Sequence, residues 1–206
     1  MTSTAIAARI SIPFIAYLLG SIPWGIVIAP FFTSRDIRKQ GSGNIGATNV
    51  RRIAGSKAGA LVLTGDILKG VLPVYMAMRL VNIAHPLGQL YIAIIALAAF
   101  LGHLYPLYLG CKDGGKGVAT ALGCILVISP FTAVITVLVF VLMVCISNRV
   151  SVASLSASAV LPLVMWKATA AWSLTAGAVI MAIFVFFRHK NNILRLLHGT
   201  EPAIWK

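Results

Sequence analysis

Long apolar runs, separated by short basic loops, limit what this chain can fold into more than any other feature. A helix needs about 20 apolar residues to cross a bilayer. Ile10–Phe32, Gly59–Met78 and Leu87–Gly110 meet that length clearly, and Trp172–Phe187 is a further run near the C-terminus. Of 206 residues, 59% are hydrophobic and 10% charged, against about 25% charged in a soluble domain. What remains is too little to build a water-facing surface. The expectation is an all-α, polytopic transmembrane helix bundle forming a single domain over residues 1–206. Ile10–Phe32 is too long for a signal-peptide core and no small-residue cleavage site follows it, so it is expected to remain as a span.

The middle of the chain admits two topologies. Val118–Ser147 contains Pro130, and Ser151–Trp166 is short. One helix through Pro130 gives six spans; a break at Ser129–Pro130 gives seven, two of them short. Proline removes a backbone donor and disfavours helix just before itself. Positive charge decides, because cytoplasmic loops collect Lys and Arg. Seven spans with the N-terminus outside put thirteen basic residues inside: Arg35, Arg38, Lys39, Arg51, Arg52, Lys57, Lys112, Lys116, Arg149, Arg188, Lys190, Arg195 and Lys206. Arg9, Arg79 and Lys167 lie outside and Lys69 falls within a span. Six spans reduce the balance to nine against seven. The seven-span arrangement, with a cytoplasmic C-terminus, gathers loops Thr33–Lys57, Cys111–Gly117 and Ser147–Ser151 and the tail after Phe187 at one face.

Charge also restricts the partners. Seventeen Lys and Arg face four acids, Asp36, Asp66, Asp113 and Glu201. That excess suits anionic headgroups or a phosphorylated substrate. Nucleic acid is not expected, because the basic residues lie in short loops between apolar runs. The three cysteines, Cys111, Cys124 and Cys145, show neither disulfide nor zinc spacing and read as small hydrophobes.

Three motifs fall in the loops of that face. In Gly41-Ser42-Gly43-Asn44-Ile45-Gly46-Ala47-Thr48-Asn49-Val50-Arg51-Arg52, the glycines permit positive φ and close ligand approach. Ser42, Asn44, Thr48 and Asn49 supply hydroxyls and amides, and Arg52 a fork matched to phosphate oxygens. Lys112-Asp113-Gly114-Gly115-Lys116-Gly117 opens an apolar helix, an arrangement that receives anions on free amides. It lacks Walker spacing. In Arg188-His189-Lys190-Asn191-Asn192-Ile193-Leu194-Arg195-Leu196, a helix would put His189 and Asn192 on one face. Each motif has a plainer alternative: a capped polar loop, a basic loop on headgroups, and a topology anchor.

Weaker candidates keep two readings each. Ser151 opens a span as an N-cap or a substrate contact. Asp66 and Lys69, three apart within a span, are a structural pair or a catalytic one. Absences narrow the chemistry. No His is followed five residues on by Asp; those positions hold Leu90, Tyr108, Leu194 and Ala203. No nucleophile elbow occurs, and four scattered acids suit no catalytic Mg²⁺ pair.

Together the motifs "GSGNIGATN", "GGKGVAT" and "RHxxNIxRL" resemble, in order and interval, the acyl-phosphate:glycerol-3-phosphate acyltransferase family of bacterial phospholipid synthesis. The resemblance runs from Gly20-Ser21-Ile22-Pro23 through Gly199-Thr200-Glu201. It implies acyl transfer from acyl phosphate to sn-glycerol 3-phosphate at the bacterial inner membrane, with no cofactor or metal. By it, Ser42 and Arg52 are essential, Gly114, Gly115, Lys116 and Gly117 form the phosphate loop, and His189 and Asn192 are active residues. Gly41, Gly43, Asn44, Thr48, Asn49, Lys112 and Ser151 are the further candidates for substrate contact, and Glu201 is expected to serve structural integrity. Where the family reads Phe-Lys-Gly-Gly-Lys-Gly, this chain inserts Asp113, an acid that must turn away or pair with Lys112. No protein partner is implied. A transporter for a phosphorylated metabolite and a lipid-binding scaffold are the competing classes; the clustering at one face disfavours a midplane transport site.

Overall fold

The computed structural model describes residues 3–205, with side chains from Ile10 onward. The Arg9 side chain and Lys206, both counted in the charge balance, lie outside the described residues. Ten α-helices, joined by turns and by two longer loops that carry three short 3-10 helices, and without strands among the described residues, make up the fold.

Helix α1 (Ser3–Gly20) and the short α2 (Trp24–Ile28) occupy the first apolar run. The run is not one straight span as expected: its two halves bend by 49° across the intervening residues. Pro23 stands at the cap of α2, where it can donate no backbone bond. The carbonyl of Ile22, released by the break, accepts from Lys69 Nζ at 2.9 Å. After α3 (Ala47–Ala54) come α4 (Ser56–Met78) and α5 (Pro86–Leu104). At 23 residues, α4 is about 34 Å long, enough to cross a hydrocarbon core of about 30 Å.

The expected break at Ser129–Pro130 is present. Ser129 is extended (φ −149°, ψ 92°) between α6 (Val118–Ile128) and α7 (Pro130–Ser147), and its side chain caps α7 by accepting from the Thr132 N–H at 3.3 Å. Next are α8 (Val150–Thr169), α9 (Trp172–Arg188) and α10 (Lys190–Leu197), the last turned 57° from α9. Four helices are individually long and apolar enough to span a membrane, and the two bent pairs bring the number to six. Helix α6 is apolar but, at 11 residues, reaches only about 16 Å.

Helix α5 is central, packed on α1, α4, α6 and α9, and contributes Ile92, Ile95, Phe100 and Leu104 to the core. Helix α6 lies close on α4 because Gly70 faces the Thr120 carbonyl and Gly123 the Ile67 backbone. A methyl at either position would collide with main chain, so glycine sets this approach. The opposite arrangement covers α7, where Phe131, Val134, Leu138, Val141, Leu142 and Ile146 are exposed. In water that surface would be untenable; against lipid tails it is matched. The α4–α6 approach and the α9–α10 corner bring three polar loops to one rim.

Candidate active site

The first loop is shaped by Asn49, which is buried at the start of α3. Its Oδ1 accepts from the Ser42 N–H at 3.0 Å, and its Nδ2 donates to the carbonyls of Ile37 and Gln40 at 3.1 and 3.2 Å. Both ends of the amide are thus spent on the chain, so Asn49 holds Ser42 in place. Gly41 and Gly43 take positive φ (58° and 69°) on either side of that serine, as the sequence required. Asn44 Oδ1 accepts from the Gly46 N–H at 2.9 Å, and its Nδ2 points to the Gly114 carbonyl at 3.5 Å. Thr48 is half-buried and Arg52 exposed on α3.

The second loop is seated on α5. The Gly115 N–H donates to the His103 carbonyl at 3.1 Å, and a Cβ on Gly115 would overlap the His103 imidazole. One amide expected free for a phosphate is therefore already committed. Arg188 holds the loop from the other side: Nε donates to Gly115 O at 3.1 Å, the guanidinium also bonds Gly114 O, and its plane lies 6.0 Å from the Tyr105 ring centre. Gly117, at φ 86°, caps α6. Asp113 turns outward: it is exposed in a left-handed conformation, and its charge acts on Arg38. Lys112 is exposed as well.

Lys116 leads into the third motif. Its Nζ donates to Asn192 Oδ1 at 2.5 Å; Asn192 Nδ2 donates to Glu201 Oε1 at 2.7 Å, and Arg195 Nε to Glu201 Oε2 at 2.7 Å. Burial lowers the Lys116 ammonium to about 8, with Arg195, Arg52 and Arg188 adding to the fall and Glu201 opposing it. Burial alone would raise Glu201; hydrogen bonds from Asn192 and Arg195 hold it below the usual carboxylate range. Ser151 is neither the N-cap of α8, a position Arg149 holds, nor on the cavity wall; it is buried. His189, 2% exposed at the α9–α10 corner, sets Nδ1 2.8 Å from the Val185 carbonyl. A carbonyl only accepts, so Nδ1 carries the proton and Nε2 the lone pair. Burial, then the Lys116 charge, lowers this imidazole to about 4, leaving it neutral near pH 7.

These parts surround a cavity of about 250 Å³ lined by Ser42, Asn44, Lys116, Phe187, Arg188, Lys190, Asn191, Asn192 and Arg195. Four predicted residues, Ser42, Asn44, Lys116 and Asn192, meet on its wall. Gly41, Gly43, Asn49, Gly114, Gly115, Gly117, Ser151 and His189 stand outside the lining, as do Thr48, Arg52 and Lys112. Arg188, Lys190, Asn191 and Arg195 were not singled out. On α10 the spacing of Asn191, Asn192 and Arg195 was the available signal, since residues three and four apart share a helix face.

Fold and site together define an all-α membrane protein with a cation-rich pocket at one rim of its bundle. The glycerol-3-phosphate acyltransferase family profile matches residues 10–199. A glycerol-3-phosphate acyltransferase of Syntrophotalea carbinolica is 46% identical over 186 residues, 90% of this chain and 92% of that protein. One from Bordetella pertussis is 42% identical, covering 100% and 96%. The crystal structure of PlsY (YgiH), an integral membrane glycerol 3-phosphate acyltransferase, in its glycerol 3-phosphate form is 39% identical, superposes with a TM-score of 0.89 and matches 95% of each chain. Its lysophosphatidic acid form gives 38% identity and 0.86. The chain belongs to the glycerol-3-phosphate acyltransferase family.

Proposed function

We propose that this protein transfers a fatty acyl group from an acyl phosphate to the 1-hydroxyl of sn-glycerol 3-phosphate, releasing 1-acyl-sn-glycerol 3-phosphate and inorganic phosphate. The carrying observation is the cavity, in which Lys116, Arg188, Lys190 and Arg195 meet carboxamides and a serine with no acid on the wall. Both substrates are anions, and such a wall holds them side by side. An acyl phosphate is a mixed anhydride, so the leaving group is already good. The substrate hydroxyl oxygen attacks the acyl carbon, the carbon–oxygen bond to phosphate breaks, and phosphate departs with that electron pair. The cations stabilise the charge that develops.

Ser42, held by Asn49, orients the hydroxyl or the donor phosphate. Neutral His189 is a weak base at about 4; a phosphate oxygen, whose second pKa is about 6, is the better acceptor for the hydroxyl proton. Phe187 lies both on the cavity wall and on the exposed apolar surface, a route for the acyl tail between site and lipid. The seven-span arrangement, counting short α6 and with the N-terminus outside, would face this pocket to the cytoplasm from the inner membrane. It rests on the charge balance of the loops.

The donor is tested by offering purified protein palmitoyl phosphate, acyl-CoA and acyl carrier protein in parallel with labelled glycerol 3-phosphate. Turnover with palmitoyl phosphate alone is expected; turnover with acyl-CoA but not acyl phosphate defeats the assignment.

A further inference from the structure

The turn between α7 and α8 holds the C-terminal segment by two side chains, Asn148 at residues 204–205 and Arg149 at Glu201. Asn148, at φ 54°, accepts through Oδ1 from the N–H groups of Ile204 and Trp205 at 3.1 and 2.9 Å. Its Nδ2 donates to the Trp205 carbonyl at 2.9 Å, and its own carbonyl accepts from the Ile204 N–H at 2.9 Å. The neighbouring Arg149 Nε donates to the Glu201 carbonyl at 3.3 Å. Pinned at both places, the segment turns the Glu201 side chain inward, where it is buried.

Glu201 then does something only an acceptor can do. A carboxamide has an oxygen end and an N–H end, and a carboxylate can take only the second. With its Nδ2 on Glu201, Asn192 must present oxygen to Lys116. We infer that Asn148 is a positioning residue for the anion site, acting through the C-terminal segment and Glu201 to fix the Asn192 carboxamide and the Lys116 ammonium. Released from Asn148, the segment would withdraw the carboxylate; the carboxamide could then rotate, and the ammonium would lose its aim into the cavity. The inference rests on the glycerol 3-phosphate site proposed above.

Two substitutions separate the side chain from the backbone it sits on. Asn148→Gly keeps the left-handed conformation, which glycine adopts freely, and removes three side-chain bonds. Asn148→Asp keeps the two acceptor bonds and loses the donor. In the full chain, Asn148→Gly is expected to lower kcat/KM for glycerol 3-phosphate about tenfold and Asn148→Asp about threefold, with kcat/KM falling at temperatures well below Tm. Removing residues 204–206 should match Asn148→Gly, and either substitution in the shortened chain should add nothing. Unchanged kinetics, a loss confined to Tm, or losses that multiply in the shortened chain overturn the inference. If Asn148→Gly does not fold, the same comparison is made with Asn148→Asp. Calorimetric binding of glycerol 3-phosphate to these variants reads the same chain of contacts even if the unsubstituted protein proves not to use acyl phosphate.

Discussion

Two ionic clusters, one inside the bundle and one at its rim, are built on opposite principles in this protein. Within the bundle, Lys69 Nζ sits 2.9 Å from Asp66 Oδ1 and donates to Ile22 O, while His103 Nδ1 approaches the same carboxylate at 3.4 Å. The two charges balance, their side chains are 3% and 5% exposed, and neither lines the 250 Å³ cavity. At the rim, one carboxylate, Glu201, serves an array of cations, and it stands behind the cavity wall. Balanced charge without space fastens helices; surplus charge around space suits an anion, as proposed for the rim. Of the two readings left open for Asp66 and Lys69, the first fits this geometry.

The largest expected effect would break that contrast. Lys69→Met leaves the buried Asp66 carboxylate without its ammonium and with only the His103 ring beside it, an arrangement that costs about 3–5 kcal/mol. Asp66→Leu together with Lys69→Met should recover most of that loss, because it removes both charges at once. Unfolding in denaturant, with protein in detergent micelles, measures each. If the double variant is stable yet inactive, the inner cluster takes part in the chemistry and the contrast falls.

At the rim the expectation is reversed: large loss of turnover, small loss of stability. Ser42→Ala and Arg52→Ala should each reduce turnover at least about a hundredfold, the scale of removing a charge-stabilising or orienting group. Insertion and Tm should stay close to those of the unsubstituted protein. Ser42 is on the wall, whereas Arg52 is exposed on α3 and stands outside the lining. Near-normal turnover for Arg52→Ala would restrict the site to the residues on the wall.

Much of this architecture is legible in the sequence. The long apolar helices follow from length and hydropathy, and the Ser129 break from Pro130. The same logic applied to Pro23, yet the continuous apolar run Ile10–Phe32 concealed the bend. Its compensation, Lys69 reaching Ile22 O, joins residues 47 apart in sequence. Lys116 and Asn192 were legible because glycine-rich loops and helix faces have local signatures. Asn49 could not be placed from type alone, since a carboxamide suits a ligand and a loop carbonyl equally well, and here it bonds the loop. Arg188 illustrates the same difficulty: beside a phosphate site an arginine suggests phosphate, but this one grips the Gly114 and Gly115 carbonyls. Asn148 carries no signature at all, because its partners lie 56 and 57 residues away.

The smallest effect near neutral pH sharpens the comparison most, because it separates what the rim does from what it costs. Lys116 loses its proton near pH 8 in the folded protein and near 10.5 when exposed. An anion site needs the ammonium, so kcat/KM for glycerol 3-phosphate should fall above about pH 8, approaching tenfold per unit. His189, neutral above about 4, should add no step between pH 5 and 7. Stability should run the other way. Between 8 and 10.5 the unfolded chain binds the proton and the folded one does not, so the Lys116 contribution to folding becomes more favourable as pH rises. Lys116→Arg, charged throughout this range, should remove both trends. A decline in kcat/KM that persists unchanged in Lys116→Arg would assign the titration to another group and leave Lys116 as a structural donor to Asn192.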